Sequence, residues 1–238
     1  MRNQQRQLWI TLGTTTIVIV LFSLLLVLGM SPPAAETNGT FYAGLMRRLT
    51  PDGAPILGDP DAPVTVIEFI DFACSHCARY QSVIRTLIDQ YIRPGKARLE
   101  MRVLSGLDPD GSILAARAAL CAGEQSAFWE MRDELFRLHE QYGYNAFSAE
   151  YIGEAAAGLN LDVSLLTTCT NNASRYQQAL QNNIDLANTF GVRTLPTILL
   201  RVDNGLPRWI EVNGTPVTGG VPLNILTEAI NRFAAPGS

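Results

Sequence analysis

Two cysteines one helical turn apart, in the run Cys74-Ser75-His76-Cys77, stand where a strand pattern hands over to a helix pattern. Ahead of them, Pro63 to Phe72 supplies Val64, Val66, Ile67, Phe69 and Ile70, a near-continuous run of β-branched and aromatic residues suited to a strand buried on both faces. Behind them, Tyr80, Ile84, Leu87, Ile88, Tyr91 and Ile92 recur at helical spacing until Pro94 and Gly95. A thiol at a helix start faces unpaired backbone N–H groups and the positive end of the helix dipole, and both favour a thiolate. Cys74 is therefore expected as an exposed nucleophile, with His76 as a further donor. Cys77, one turn further in, is expected as the more buried resolving thiol.

Competing uses of such a pair are weaker. A zinc site needs further ligands, but Cys121 and Cys169 fall in separate helical patterns and His139 has no partner at ligand spacing. Attachment of c-type haem requires His directly after the second cysteine, where Ala78 stands. A purely structural local disulfide explains the spacing but not its place at a strand-to-helix junction. No metal and no cofactor is implied.

From Leu8 to Ala35 there is no charged residue, and Trp9 to Met30 is almost wholly apolar or threonine. As a helix that stretch is about 33 Å long, the thickness of a bilayer core. Arg2 and Arg6 precede it and no basic residue follows until Arg47, so residues 1–8 are expected in the cytoplasm, residues 9–30 as a single transmembrane signal anchor and the remainder outside. A cleaved signal peptide ending near Pro33, Ala34 and Ala35, with a secreted or periplasmic product, is the alternative, although the apolar run is long for one. Four cysteines in an exported chain can pair. The formal net charge of -4 offers no basic face, which disfavours nucleic acid.

Residues 31–59 carry Pro32, Pro33, Gly39, Gly44, Pro51, Gly53, Pro55 and Gly58 and read as a linker. Beyond the cysteine pair, Ala97 to Leu104 reads as a second strand, parallel to the first if the helix between them is a right-handed crossover. Ser112 to Phe190 has helical periodicity throughout and reads as about four helices. Pro196 to Leu200 and Arg208 to Val212 are strand-like, Asn213-Gly214 offers a turn, and Leu223 to Phe233 forms a last amphipathic helix.

The run Gly58-Asp59-Pro60-Asp61-Ala62-Pro63-Val64-Thr65-Val66-Ile67-Glu68-Phe69-Ile70-Asp71-Phe72-Ala73-Cys74-Ser75-His76-Cys77 resembles the opening of the DsbA-like thioredoxin family. The resemblance continues through Ala118-Ala119-Leu120-Cys121-Ala122-Gly123-Glu124-Gln125, Phe128-Trp129 and Gly191-Val192-Arg193-Thr194-Leu195-Pro196-Thr197, and covers roughly residues 58–233. It implies an α/β thioredoxin fold over residues 60–235, with a helical insertion at about 110–190. It also implies that Pro196 is cis beside the Cys74 sulfur, and that the backbone at Leu195 and Pro196 pairs with an extended substrate. Relatives mostly have Thr or Val before that proline. Leu195 is thus expected to make the surroundings of the sulfur more apolar.

In relatives an acidic residue at the place of Glu68 shuttles the proton of the buried cysteine. Here Glu68 is expected in the core beneath Cys74 rather than at a solvated strand edge, with Asp71 as a second candidate. Cys121 and Cys169 are either two buried thiols or, as favoured here, a structural bridge like that in some relatives. The activity implied is disulfide donation to reduced or misoxidised exported polypeptides, with a DsbB- or VKOR-type membrane protein to reoxidise the pair. His76 favours an oxidase, whereas Ser75 stands where oxidising relatives have proline. An isomerase or reductase of the same fold, and a membrane-tethered chaperone without redox turnover, remain the rival readings.

Overall fold

The computed structural model describes residues 41–108 and 110–234 of the 238. The expected cytoplasmic segment 1–8 and transmembrane segment 9–30 lie outside the described residues. Among those described, no helix is long and apolar enough to cross a membrane.

A six-stranded sheet runs in the order β1-β2-β4-β3-β5-β6, with β1 at Arg47–Leu49, β2 at Pro55–Leu57, β3 at Val64–Ile70, β4 at Ala97–Val103, β5 at Thr197–Val202 and β6 at Arg208–Trp209. β3 lies beside β4 in parallel register, Val64 opposite Ala97, and beside β5 in antiparallel register, Val64 opposite Val202. All seven β3 residues are buried, as its apolar run requires. Each of its large aliphatic or aromatic side chains contributes about 1.5–3 kcal/mol through burial. Ile67 and Phe69 on one face pack with Leu199, Ala187 and Val192.

The first helix, α1 (Ser75–Leu87), starts directly at the cysteine pair and runs into a π-helical turn at Ile88–Ile92. The insertion consists of α2 (Gly111–Glu124), α3 (Phe128–Tyr142), α4 (Ala149–Gly158), α5 (Val163–Asn171) and α6 (Gln177–Thr189). These are five helices where the sequence suggested about four. The break was written in two side-chain caps: Ser148 Oγ accepts the Tyr151 N–H at 3.2 Å, and Asp162 Oδ1 accepts the Leu165 N–H at 2.9 Å. After β6, the hairpin β7 (Glu211–Val212) and β8 (Thr215–Pro216) turns through Asn213 and Gly214, both at positive φ. The strand expected over Arg208 to Val212 is thus split between two sheets at buried Ile210. The final helix, α7 (Leu223–Ala234), closes the element order.

The expected linker is corrected from Tyr42 onward. Tyr42 and Leu57 are fully buried, and β1 and β2 join the sheet through antiparallel pairing of β2 with β4. Arg102 of β4 holds this segment by donating from Nη1 to Asp52 Oδ2 at 2.7 Å. Strands of three residues are too short to show alternation, so their prolines and glycines mark the ends of edge strands rather than a tether.

Candidate active site

The carboxyl end of β3 and the first turn of α1 place both thiols. Cys74 is the N-cap of α1, and its Sγ accepts the backbone N–H of Cys77 at 3.3 Å. Asp71 fixes the approach. Its fully buried carboxylate accepts from the N–H groups of Ala73, Gly106 and Leu107 at 2.9–3.0 Å and from Ser112 Oγ at 2.7 Å. With its acceptor sites so occupied, Asp71 is an anchor of the turn.

Neither sulfur is bonded to the other, and the two differ sharply. Hydrogen bonding from the Cys77 thiol, joined by the backbone N–H groups of Cys77 and His76 and opposed by desolvation, draws the Cys74 thiol down to about 6. Burial pushes the Cys77 thiol far above the ordinary thiol range, and the Cys74 and Glu68 charges push the same way. Cys74 is less exposed than the sequence suggested, only 6% accessible against 0% for Cys77. It opens onto a groove of about 900 Å³ whose walls include Arg79, Tyr80, Leu107, Leu195 and Pro196. Close packing shapes that groove: a Cβ on Gly220 would stand 2.7 Å from the Tyr80 ring, whose hydroxyl donates to the Val221 carbonyl at 2.6 Å.

His76 acts differently from the expectation. Its backbone N–H supports the Cys74 thiolate, while its exposed ring accepts from Arg79 Nη2 at Nδ1, 3.0 Å away. The Leu195–Pro196 bond is cis. The Leu195 carbonyl meets the sulfur at 3.6 Å. The Leu195 side chain is half-buried: it packs against the cluster of Ile67, Phe69, Ala187, Val192 and Leu199 and also lines the groove onto which Cys74 opens.

Glu68 lies beneath the pair, fully buried on β3. Both its oxygens and the Nε of Arg132 are the buried side-chain polar atoms without a hydrogen-bond partner among the described residues. The nearest Arg132 nitrogen is 3.7 Å from Glu68, an ion pair too long for a hydrogen bond. Desolvation therefore dominates over Arg132 and lifts the Glu68 carboxyl to about 7. Sequence reasoning missed Arg132, a buried cation on α3, because nothing in a helical pattern marks one arginine as inward-facing. It also missed a contact between His139 on α3 and Ser75 of the Cys74 turn. Away from this site, Cys121 of α2 and Cys169 of α5 are joined by a disulfide spanning 48 positions of sequence. Among the described residues, no group of three or more His, Cys, Asp or Glu is placed to hold a metal ion.

Comparison with known proteins places this geometry. The thioredoxin family model described as "Thioredoxin" matches residues 50–203. The Na(+)/H(+) antiporter NhaA 3 of Salinispora tropica is 39% identical over 98 residues, 41% of this chain and 15% of that protein. Disulfide bond formation protein D of Bacillus subtilis is 26% identical over 149 residues, covering 61% of this chain and 67% of that one. The chain thus spans well under two thirds of the antiporter. Among solved structures, alpha-DsbA1 of Wolbachia pipientis superposes with a TM-score of 0.66 at 22% identity, over 83% of this chain and 96% of that one. The sheet order, the helices inserted between β4 and β5 and the family match lead to one conclusion: the chain belongs to the thioredoxin family, with the DsbA-like form of its fold.

Proposed function

We propose that the protein is a thiol-disulfide oxidoreductase that donates disulfides to reduced exported polypeptides through Cys74 and Cys77. The observation that carries this reading is the asymmetry of the two thiols: Cys74 caps α1 at the wall of the groove and accepts the Cys77 N–H, while Cys77 is fully buried beneath it. A substrate thiolate attacks the Cys74 sulfur of the oxidised pair, and Cys77 leaves and takes a proton. A second substrate thiolate then attacks the substrate sulfur of the mixed disulfide, and Cys74 leaves as a thiolate. One enzyme disulfide becomes a dithiol as one substrate dithiol becomes a disulfide. A stable Cys74 thiolate stabilises the reduced enzyme and so strengthens the oxidised one as a donor. Glu68, poised near neutrality and close enough to Cys77 for its charge to be felt there, is the group to supply and recover the Cys77 proton.

On the same reading, residues 9–30 tether the domain to the outer face of a bacterial cell membrane, with residues 1–8 inside, and a DsbB- or VKOR-type membrane protein reoxidises the pair. The name of the Bacillus subtilis relative supports the disulfide chemistry. The test is oxidative refolding of a reduced, disulfide-containing protein by the oxidised enzyme. Recovery that disappears when both cysteines become Ser supports the reading. Recovery unaffected by that change identifies a chaperone, and insulin reduction without oxidative refolding identifies a reductase.

A further inference from the structure

We propose that His139, from the helical insertion, is a positioning residue for the redox turn: it clasps Ser75 and thereby stabilises the reduced enzyme. The proposal rests on the oxidoreductase reading. His139 is only 5% exposed, near the carboxyl end of α3. Its Nδ1 lies 3.2 Å from the Gly143 carbonyl oxygen, which can only accept, so Nδ1 carries the proton. With the ring neutral and Nδ1 the donor, Nε2 is an acceptor for the Ser75 hydroxyl 3.2 Å away. The ring is held in place by stacking on Phe147, with centroids 6.0 Å apart and planes 13° from parallel, and by the edge contact of Tyr144. Gly143 directs its carbonyl at the ring from φ 60 and ψ -135, a conformation open essentially to glycine.

Ser75 is the first residue of α1, between the N-cap Cys74 and the Cys77 N–H that bonds the Cys74 sulfur at 3.3 Å, with the His76 N–H in the same first turn. Holding the Ser75 side chain holds the peptide planes that aim those groups. The Cys77 N–H bond to sulfur is charge-assisted when Cys74 is a thiolate and has no such strength when it is in a disulfide. Loosening the turn therefore costs the reduced form more than the oxidised form. The clasp also commits the Ser75 proton to His139, leaving the backbone to stabilise the anion.

The test is equilibrium exchange with glutathione, in which the enzyme disulfide and two glutathione thiols give the enzyme dithiol and one glutathione disulfide. His139→Phe keeps an aromatic ring against Phe147 but removes the acceptor, and Ser75→Ala removes the donor at an exposed position. Each is expected to lower the equilibrium constant toward the reduced enzyme severalfold, up to the about fivefold worth of one ordinary hydrogen bond. Cys74 thiolate absorbance should titrate at higher pH in both. The double variant should lose no more than either single one, and Ser75→Thr, which retains the hydroxyl, should restore the wild-type constant. An unchanged constant in His139→Phe, or losses that multiply in the double variant, would overturn the clasp while leaving the redox reading intact. A wild-type pair that fails to exchange with glutathione would overturn the redox reading itself.

Discussion

The chain holds two cysteine pairs in opposite surroundings. Cys121 and Cys169 join the flanks of two helices, α2 and α5, and the bridge closes a long loop of sequence. Cys74 and Cys77 share one turn at a helix start, where backbone N–H groups converge on one sulfur and burial isolates the other. A bridge between helices stabilises chiefly by restricting the unfolded chain. A pair at a helix N-terminus instead has one sulfur whose anion the fold prefers, so its disulfide opens readily. On the proposed reading, the same bond type is structural in one region and reactive in the other because only one region is built to hold a thiolate.

The sharpest way to break that contrast is to remove single sulfurs. Cys74→Ser is expected to abolish disulfide transfer, and Cys77→Ser to accumulate mixed disulfides with substrate because only the resolving step is lost. Non-reducing electrophoresis reads both, and adducts trapped on Cys77 instead would reverse the roles.

Next in size is the structural pair. Replacing Cys121 and Cys169 with Ser together should cost about 4 kcal/mol of stability in the loop-entropy account, seen as a lower urea midpoint, and leave the Cys74 and Cys77 equilibrium with glutathione unchanged. In the wild type treated with dithiothreitol while folded, Cys74 and Cys77 should alkylate readily and Cys121 and Cys169 slowly. Equal labelling of all four would erase the distinction.

The core beneath the reactive pair sharpens the comparison further. A Glu68 carboxyl raised from 4.5 to about 7 binds its proton more tightly in the folded state. Its contribution to stability is therefore complete below pH 4.5 and is lost as pH rises through about 7. Glu68→Gln should flatten that slope, by a change on the order of 3 kcal/mol across the window, measured by urea unfolding of the reduced protein at successive pH values. A slope identical to wild type would show that Glu68 is ionised throughout.

The smallest effect belongs to Leu195. If Leu195 makes the surroundings of the sulfur more apolar, as the family resemblance implies, Leu195→Thr should lower the Cys74 pKa, since leucine desolvates where threonine can donate. With the side chain packed on the Ile67 and Phe69 cluster, the expected outcome is a loss of about 1 kcal/mol of stability and no resolvable shift in thiolate absorbance against pH. A clear fall in the Cys74 pKa would restore the sequence-based view.

What could be read in the sequence follows a physical pattern. β3, α1 and the cysteine pair were legible because a strand buried on both faces and an amphipathic helix each write a periodicity, and their junction fixes the chemistry. Glu68 was legible by its place in that strand. The short strands β1 and β2 were not, since three residues show no period and the Arg102 to Asp52 contact that recruits them is long-range. Arg132 and the His139 contact with Ser75 were hidden for the same reason: which face of α3 turns inward over the redox turn is set by tertiary packing, not by spacing.

The central claim is that the fold favours the Cys74 thiolate and so makes the oxidised pair a disulfide donor. The reduction potential of that pair, measured by equilibration with glutathione, tests it most directly. A Cys74 thiol near 6 lies between those of thioredoxin, about 7, and DsbA, about 3.5. The account accordingly predicts a potential above that of thioredoxin, by proportion about -230 mV on the way to the DsbA value of about -120 mV. A potential at or below about -270 mV, the value of thioredoxin, would contradict it and make the protein a reductant.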